Sequence, residues 1–464
     1  FAPLCAASKI FIIEAYHPHP PLSNTGPCVF SGGNPLFGFA NFLLLALFAA
    51  AVFDLIFALA RGGGLRGALH GLWNTPHLLF GQQLAEWRLQ LGRILFAAGL
   101  AAYEISVVFC NSMARQNWAW VQGVMSPVLE WLAFLCFGAK ILFGTRYTWR
   151  ELLAGGALYF IARWVYFNSQ NIWWIGIVVA VLAAKDIPLC RPLQVYFASG
   201  CAAMAVVLAL HFAGIVAPDL TSERMGALRG TYGYGHPNTF GGLVFGLVLA
   251  YALLRAQKVR WVDCLLVFAV GVFLLVGPAS RSAALCTLAL AVGLVFCRLR
   301  AGHSVPRWWP GTCAGMVGLT AAVSYLLPLL VIKVGPWNND IGPAWLAKLD
   351  SLLTCRISLT WMAYRLLDVK IAGQVFNWPT VDNSFAFALF QFGPVVAVLL
   401  GILFAAALWG HAKQGRRVEV CCLFAMLAYA YMEVQPFHLT TNPTALLLCG
   451  AVFAQASARW QKIE

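Results

Sequence analysis

The 464-residue chain is 61% hydrophobic and 10% charged, whereas soluble proteins are roughly half apolar and about a quarter charged, so one water-soluble core cannot bury the excess. Continuous apolar runs such as residues 39–60 exclude a transmembrane barrel, whose strands alternate in polarity. The net charge of +14 sits in small groups at the ends of apolar runs, not on one face or arm, which argues against nucleic acid and for orientation signals.

A bilayer crossing takes about 20 mostly apolar residues. The pattern predicts an all-α polytopic membrane protein of 12–14 helices, with spans near 38–60, 92–112, 121–143, 150–168, 171–185, 196–216, 237–255, 261–278, 283–299, 311–333, 385–409, 419–435 and 441–457. Residues 1–37 precede them as an extracytoplasmic segment or the remnant of another span. Cys5 and Cys28 could pair there if that end is outside, and His17 and His19 read as solvated. Residues 61–93 mix Leu, Trp and Phe with Arg, which suits a segment in the interface plane or a loop. Most other cysteines lie in apolar runs without a CxxC spacing and read as small hydrophobes. Glu104 and Arg163 are expected to form a buried pair.

Lys and Arg favour short cytoplasmic loops. Groups at Lys140, Arg146 and Arg150; Lys185 and Arg191; Arg255, Lys258 and Arg260; Arg298, Arg300 and Arg307; Lys413, Arg416 and Arg417; and Arg459 and Lys462 alternate consistently with the spans. Placing them inside puts 217–236, the turn 279–282, a cap at 334–384 and 434–440 on the outer face of the cytoplasmic membrane, with spans at 38–333 and 385–464 and a cytoplasmic carboxy terminus.

Each outer stretch carries polar residues beyond what a connector needs. Pro237 suits a first helical turn, placing Arg229, His236 and Asn238 beside an anion-friendly helix end. In GPASRSAAL, Pro278 ends one span and Ser280 can cap the next. Arg281 then stands beside Ser282 in a first turn, where the helix dipole disfavours a cation and an anion partner would offset the mismatch. Residues 343–368 have helical periodicity, with Leu346, Leu349, Leu353 and Ile357 on one face and Arg356 and Arg365 presented from the cap. Asp382, Asn383 and Ser384 form a polar cluster that is also a good helix N-cap. Glu433, Gln435, His438 and Asn442 reach the same side, and an ionisable residue at a span end suggests function. A diphosphate leaving group suits permanently charged guanidinium clamps, for which Arg229, Arg281 and Arg356 are candidates. A sugar hydroxyl needs a base, for which Glu433, Asp382 and His236 are candidates. Asn238, Ser280, Ser282, Asn383 and Ser384 are candidate substrate contacts. No DxD-like cluster faces outward, so a lipid-carried donor without metal or other cofactor is expected.

With RGTYGYGHPNTFGG, the SRS turn, LTCRISLTWMAYRLL, VDNSFAFALFQFG and the final E...NPTALLL in this order, the chain resembles the O-antigen polymerase and ligase superfamily over roughly residues 150–457. More narrowly it is similar to Gram-positive-type capsular and exopolysaccharide polymerases. The resemblance implies a GT-C-like membrane fold with an outer cap. It implies transfer of a polyprenyl-pyrophosphate-linked glycan to another lipid-linked repeat unit, with inversion if displacement is direct. Arg229 and Arg281 would bind phosphate. Ligases use a His in the late cap; 334–384 contains none, which favours a polymerase and leaves the base between Asp382 and Glu433, with Glu433 preferred. A flippase and a chain-length regulator are candidate partners. The rival readings are a ligase and a transporter of the same lipid-linked glycan; transporters place charge at mid-membrane in paired repeats, and the chain has no internal repeat.

Overall fold

A computed structural model describes residues 35–60, 64–79, 85–216, 222–224, 227–331, 342–376 and 379–453. The expectations for Cys5, Cys28, His17, His19, Arg459 and Lys462 lie outside them. The described chain is almost entirely helical: α1 (Pro35–Ala60), α2 (Gly64–Asn74), α3 (Ala85–Cys110), α4 (Ser126–Phe143), α5 (Trp149–Ser169), α6 (Ile172–Ala183), α7 (Cys190–Phe212), α8 (Pro237–Leu254), α9 (Trp261–Val276), α10 (Arg281–Leu299), α11 (Trp309–Leu326), α12 (Ala344–Leu352), α13 (Arg356–Leu366), α14 (Pro394–Lys413) and α15 (Arg417–Met432), with shorter turns between them. Two small antiparallel pairs complete it, His77–Leu78 with Arg146–Tyr147 and Ser222–Arg224 with Ala227–Arg229.

Among the described residues, eight helices are long and apolar enough to cross a membrane: α1, α3, α4 with its preceding π turn, α7, α8, α10, α11 and α14. Phe42, Phe48, Leu265, Val292 and Val398 leave large apolar side chains exposed on the helix surfaces, a surface that only lipid or protein can cover favourably. The chain is an all-α, multi-pass membrane protein. Expected spans at 171–185 and 261–278 fall on the shorter apolar helices α6 and α9. The span at 150–168 falls on α5, which carries Arg150, Glu151 and Arg163, and that at 419–435 on α15, of 16 residues. The expected span at 441–457 is different in kind: a 3₁₀ segment Pro443–Leu448 leads into a single α turn, Cys449–Val452.

Packing follows residue size and polarity. α6 is buried without a break from Trp174 to Ala183, and so lies inside the bundle. α3 packs along α4 and α7, α8 on α7 and α10, α10 on α9 and α15, and α11 on α14. Where α3 begins and α4 ends, a Cβ on Gly144 would lie 2.6 Å from the Gly92 Cα; two glycines allow backbone-to-backbone contact there. The loop after α1 folds as the amphipathic α2, which buries Ala68 and Leu72. Glu104 and Arg163 do not pair: Arg163 donates to Asn41 Oδ1 (2.8 Å) and lies over the Phe167 ring, while Glu104 is buried against Gly200 of α7.

Periodicity over 343–368 resolves into two helices, α12 and α13. Leu346 and Ile357 are buried with Val331, and Leu349 and Leu353 pack around them. The break between the helices is closed by Asp350. Its Oδ1 accepts from the backbone amides of Ile357 (2.8 Å) and Ser358 (3.2 Å), and its Oδ2 from the Ser358 hydroxyl (2.7 Å). These are first-turn amides of α13 that would otherwise lack partners.

Candidate functional site

Glu433 is the residue after α15, and its carboxylate is buried. Three helices meet on one of its oxygens. Oε1 accepts from Arg356 Nη2 of α13 at 2.6 Å, from the Ser282 hydroxyl of α10 at 2.8 Å and from Asn238 Nδ2 of α8 at 3.1 Å. All three donors use Oε1, which leaves Oε2 without a protein donor among the described residues. Asn238 is held in turn by Arg229, whose Nη2 donates to Asn238 Oδ1 (3.0 Å) and to the Ala279 carbonyl (3.1 Å). The Ser384 hydroxyl donates to the Glu433 carbonyl at 2.5 Å, and Asp382 Oδ2 lies 3.9 Å from Arg356 Nε.

Local sequence explains the convergence. α8 starts at Pro237, with no amide to leave unpaired. Gly241 and Gly242 then let neighbours approach: a Cβ on Gly241 would lie 2.2 Å from Ser280 Oγ, and one on Gly242 1.8 Å from Gln435 Oε1. Gln435 fills the space so provided, accepting from the Tyr429 hydroxyl (2.7 Å) and donating to the Asn238 carbonyl (3.3 Å). Of the six described non-glycine residues in the left-handed region, four flank the cluster: Tyr232, Ala279, Thr354 and Cys355. Such backbone costs about 1–3 kcal/mol per residue and persists where the surroundings over-determine it. At Ala279 it turns a carbonyl to Arg229, and at Thr354 and Cys355 it launches α13 so that Arg356 reaches across to α15.

Arg356 is committed to protein partners. Nε donates to the Met432 carbonyl, Nη1 to the Leu353 carbonyl (3.0 Å) and Thr354 Oγ1 (3.3 Å), and Nη2 to Ser282 Oγ (3.4 Å) besides Glu433. It is 9% exposed. Its geometry is that of a group that fixes Glu433, not the phosphate clamp expected of it, because a nearer, buried carboxylate already takes its charge. Burial pushes the Glu433 carboxyl up to about 7, against the opposing pull of Arg356 and with repulsion from Asp382 adding to the rise. Asp382, half-buried, is also raised by burial and opposed by Arg356. The outcome is a carboxyl group raised toward neutrality by burial, with one oxygen fixed by three donors and the other without a protein donor among the described residues, features that a general base requires.

Glu433, Arg356, Ser282, Asn238 and Arg229 therefore come together, with Asp382 and Ser384 at the edge. The other candidates serve differently. His236 is exposed and caps α8, its Nδ1 accepting from the Asn238 amide at 3.1 Å, a role that requires that nitrogen unprotonated. Ser280 occupies the N-cap of α10, but its hydroxyl makes no cap bond; it is buried against Gly241. Asn383 is a true cap, accepting from the Phe385 (2.9 Å) and Ala386 (3.1 Å) amides and donating to Ser324 (3.1 Å). Arg281 stands exposed in the first turn of α10, one residue from Ser282. His438 and Asn442 are buried, and Asn442 caps Ala445 (3.1 Å). Tyr429 was missed by sequence reasoning; it lies in the last turn of α15, where its carbonyl accepts from the Glu433 amide at 2.8 Å; Asp350 carried no signal without its partner amides.

No family model, curated protein or solved structure matches the chain. The chemistry of the site therefore rests on its own geometry.

Proposed function

We propose that the chain is a membrane glycosyltransferase that polymerises a polyprenyl-pyrophosphate-linked glycan at the outer face of a bacterial cytoplasmic membrane, in the manner of the O-antigen and capsular polymerases it resembles. The observation that carries this reading is the single Glu433 oxygen held by Arg356, Ser282 and Asn238, with Arg229 behind them, at one end of the bundle beside α12 and α13. Glu433 Oε2 takes the proton of the acceptor hydroxyl. The acceptor hydroxyl oxygen, thus deprotonated, attacks the anomeric carbon as the bond to the pyrophosphate oxygen breaks, the diphosphate leaves with the electron pair, and single displacement inverts the centre. Arg281, exposed at a helix start where a cation lacks dipole support, is assigned to the diphosphate. Arg229 steadies Asn238 and adds positive charge behind it. Arg356 is a positioning residue. Charge on the leaving group is thus met by guanidinium groups and not by a metal.

A flippase for the same lipid-linked glycan would also be polytopic and basic. The two readings separate in one assay: the purified chain in detergent, supplied with lipid-linked repeat units. Longer glycan on lipid is the expected product, with no second compartment required. A chain that binds the repeat units but leaves their length unchanged would exclude the polymerase reading.

A further inference from the structure

The helices that carry the Glu433 cluster have a second, differently built end. α8 and α10 run away from Asn238 and Ser282, and α15 runs toward Glu433 from Arg417. The 16 residues from Ser282 to Arg298 span about 24 Å at 1.5 Å per residue. At that far end lies a cavity of about 1160 Å³, lined by the ends of α8 and α10, the starts of α7 and α15, and Arg93 of α3. This exceeds the volume of most small-molecule sites, about 300–1,000 Å³.

Seven cationic side chains line the cavity against two carboxylates, Asp186 and Glu419. Asp186 is already engaged: its Oδ2 lies 3.4 Å from Lys185 Nζ and accepts from the Arg146 amide at 3.2 Å. Arg255 is matched by Asp263 at 3.2 Å, and Arg417 donates to the Arg300 and His303 carbonyls. Arg93, Lys258 and Arg298 are exposed and line the cavity without a carboxylate in ion-pair range among the described residues. Two helix starts, α7 and α15, open into the same space and add partial positive charge. The inner wall is apolar, with Leu193, Leu253 and Leu447 buried. Orientation signals require basic residues in loops. They do not require them to enclose a volume with an apolar floor and two helix N-termini.

We infer that this cavity is a second binding site, for a phosphate-bearing anion, distinct from the Glu433 cluster and facing the opposite membrane surface. Guanidinium and ammonium groups around an apolar floor match a phosphate head group with an alkyl chain, or the phosphates of a soluble ligand. The two sources separate in two arms. In one, the full chain is placed in nanodiscs of phosphatidylcholine with or without phosphatidylglycerol, and retained lipid is read by native mass spectrometry. In the other, inorganic pyrophosphate is titrated into detergent-solubilised protein. The double variant Arg93→Glu/Arg298→Glu should weaken the probe that binds by tenfold or more, and Arg93→Lys/Arg298→Lys should retain most of it. Arg307→Glu, exposed and outside the cavity, should change little. If the glutamate pair lowers thermal stability, Arg93→Gln/Arg298→Gln is read instead. Phosphatidylglycerol selectivity alone assigns a lipid head group, and pyrophosphate binding alone assigns a soluble anion. Binding of neither probe, or equal loss in Arg307→Glu, overturns the proposal.

Discussion

Glu433→Gln is expected to reduce glycan chain extension by about 10²–10⁴-fold, the usual contribution of a positioned general base, while leaving the protein folded. The amide keeps an oxygen for Arg356, Ser282 and Asn238 and loses only the capacity to take a proton. Asp382→Asn should act more weakly, because Asp382 stands 3.9 Å from Arg356 and belongs to the edge of the cluster. Comparing lipid-linked product lengths for the purified variants at equal protein and matched unfolding temperature decides between them. Near-normal extension by Glu433→Gln would remove Glu433 from catalysis and leave it a structural residue.

The second large effect concerns stability. Arg356→Ala removes the cation from a buried carboxylate whose ion pair is 9% and 7% exposed, and breaking such a pair by deleting one partner costs about 3–5 kcal/mol. It also releases the Met432 and Leu353 carbonyls that Arg356 satisfies. The double variant Arg356→Ala/Glu433→Gln should recover part of that loss, since a neutral amide needs no counter-charge. Thermal unfolding in one detergent reads both. An additive outcome, with no recovery in the double variant, would mean that the two side chains do not act as a pair.

Composition and hydropathy were enough to read the all-α membrane class and the positions of most helices, because a lipid-exposed helix must be apolar along its length. Within the expected span at 441–457, suggested by its leucines, the described residues 441–453 pack differently from a regular α-helix. There the preceding Thr440 carbonyl accepts from the Tyr196 hydroxyl and crowds Gly246 of α8. Asn442 and Pro443 then start a 3₁₀ segment buried on every side, so its apolar residues serve internal packing. At the site, the sequence marked Arg229, Asn238, Ser282 and Glu433 by their place at or beside helix ends, and Arg356 as a cation presented from the outer cap. It could not say that Arg356 spends its charge on Glu433, since neighbours 77 residues apart are set by how α13 crosses α15. His236 and Asn383 looked chemical for the same reason that they cap well: both place a hydrogen-bond acceptor just before a helix start.

The pH dependence of chain extension by the wild-type protein tests the central claim most directly. Burial holds the folded Glu433 carboxyl at about 7, above its ordinary value of 4.5, so the proton-accepting form grows as pH rises through that value. The rate at limiting substrate should therefore climb between pH 6 and 8 with an apparent midpoint near 7, and the climb should vanish in the residual activity of Glu433→Gln. A wild-type rate that is flat or falling across that interval would contradict a base at Glu433.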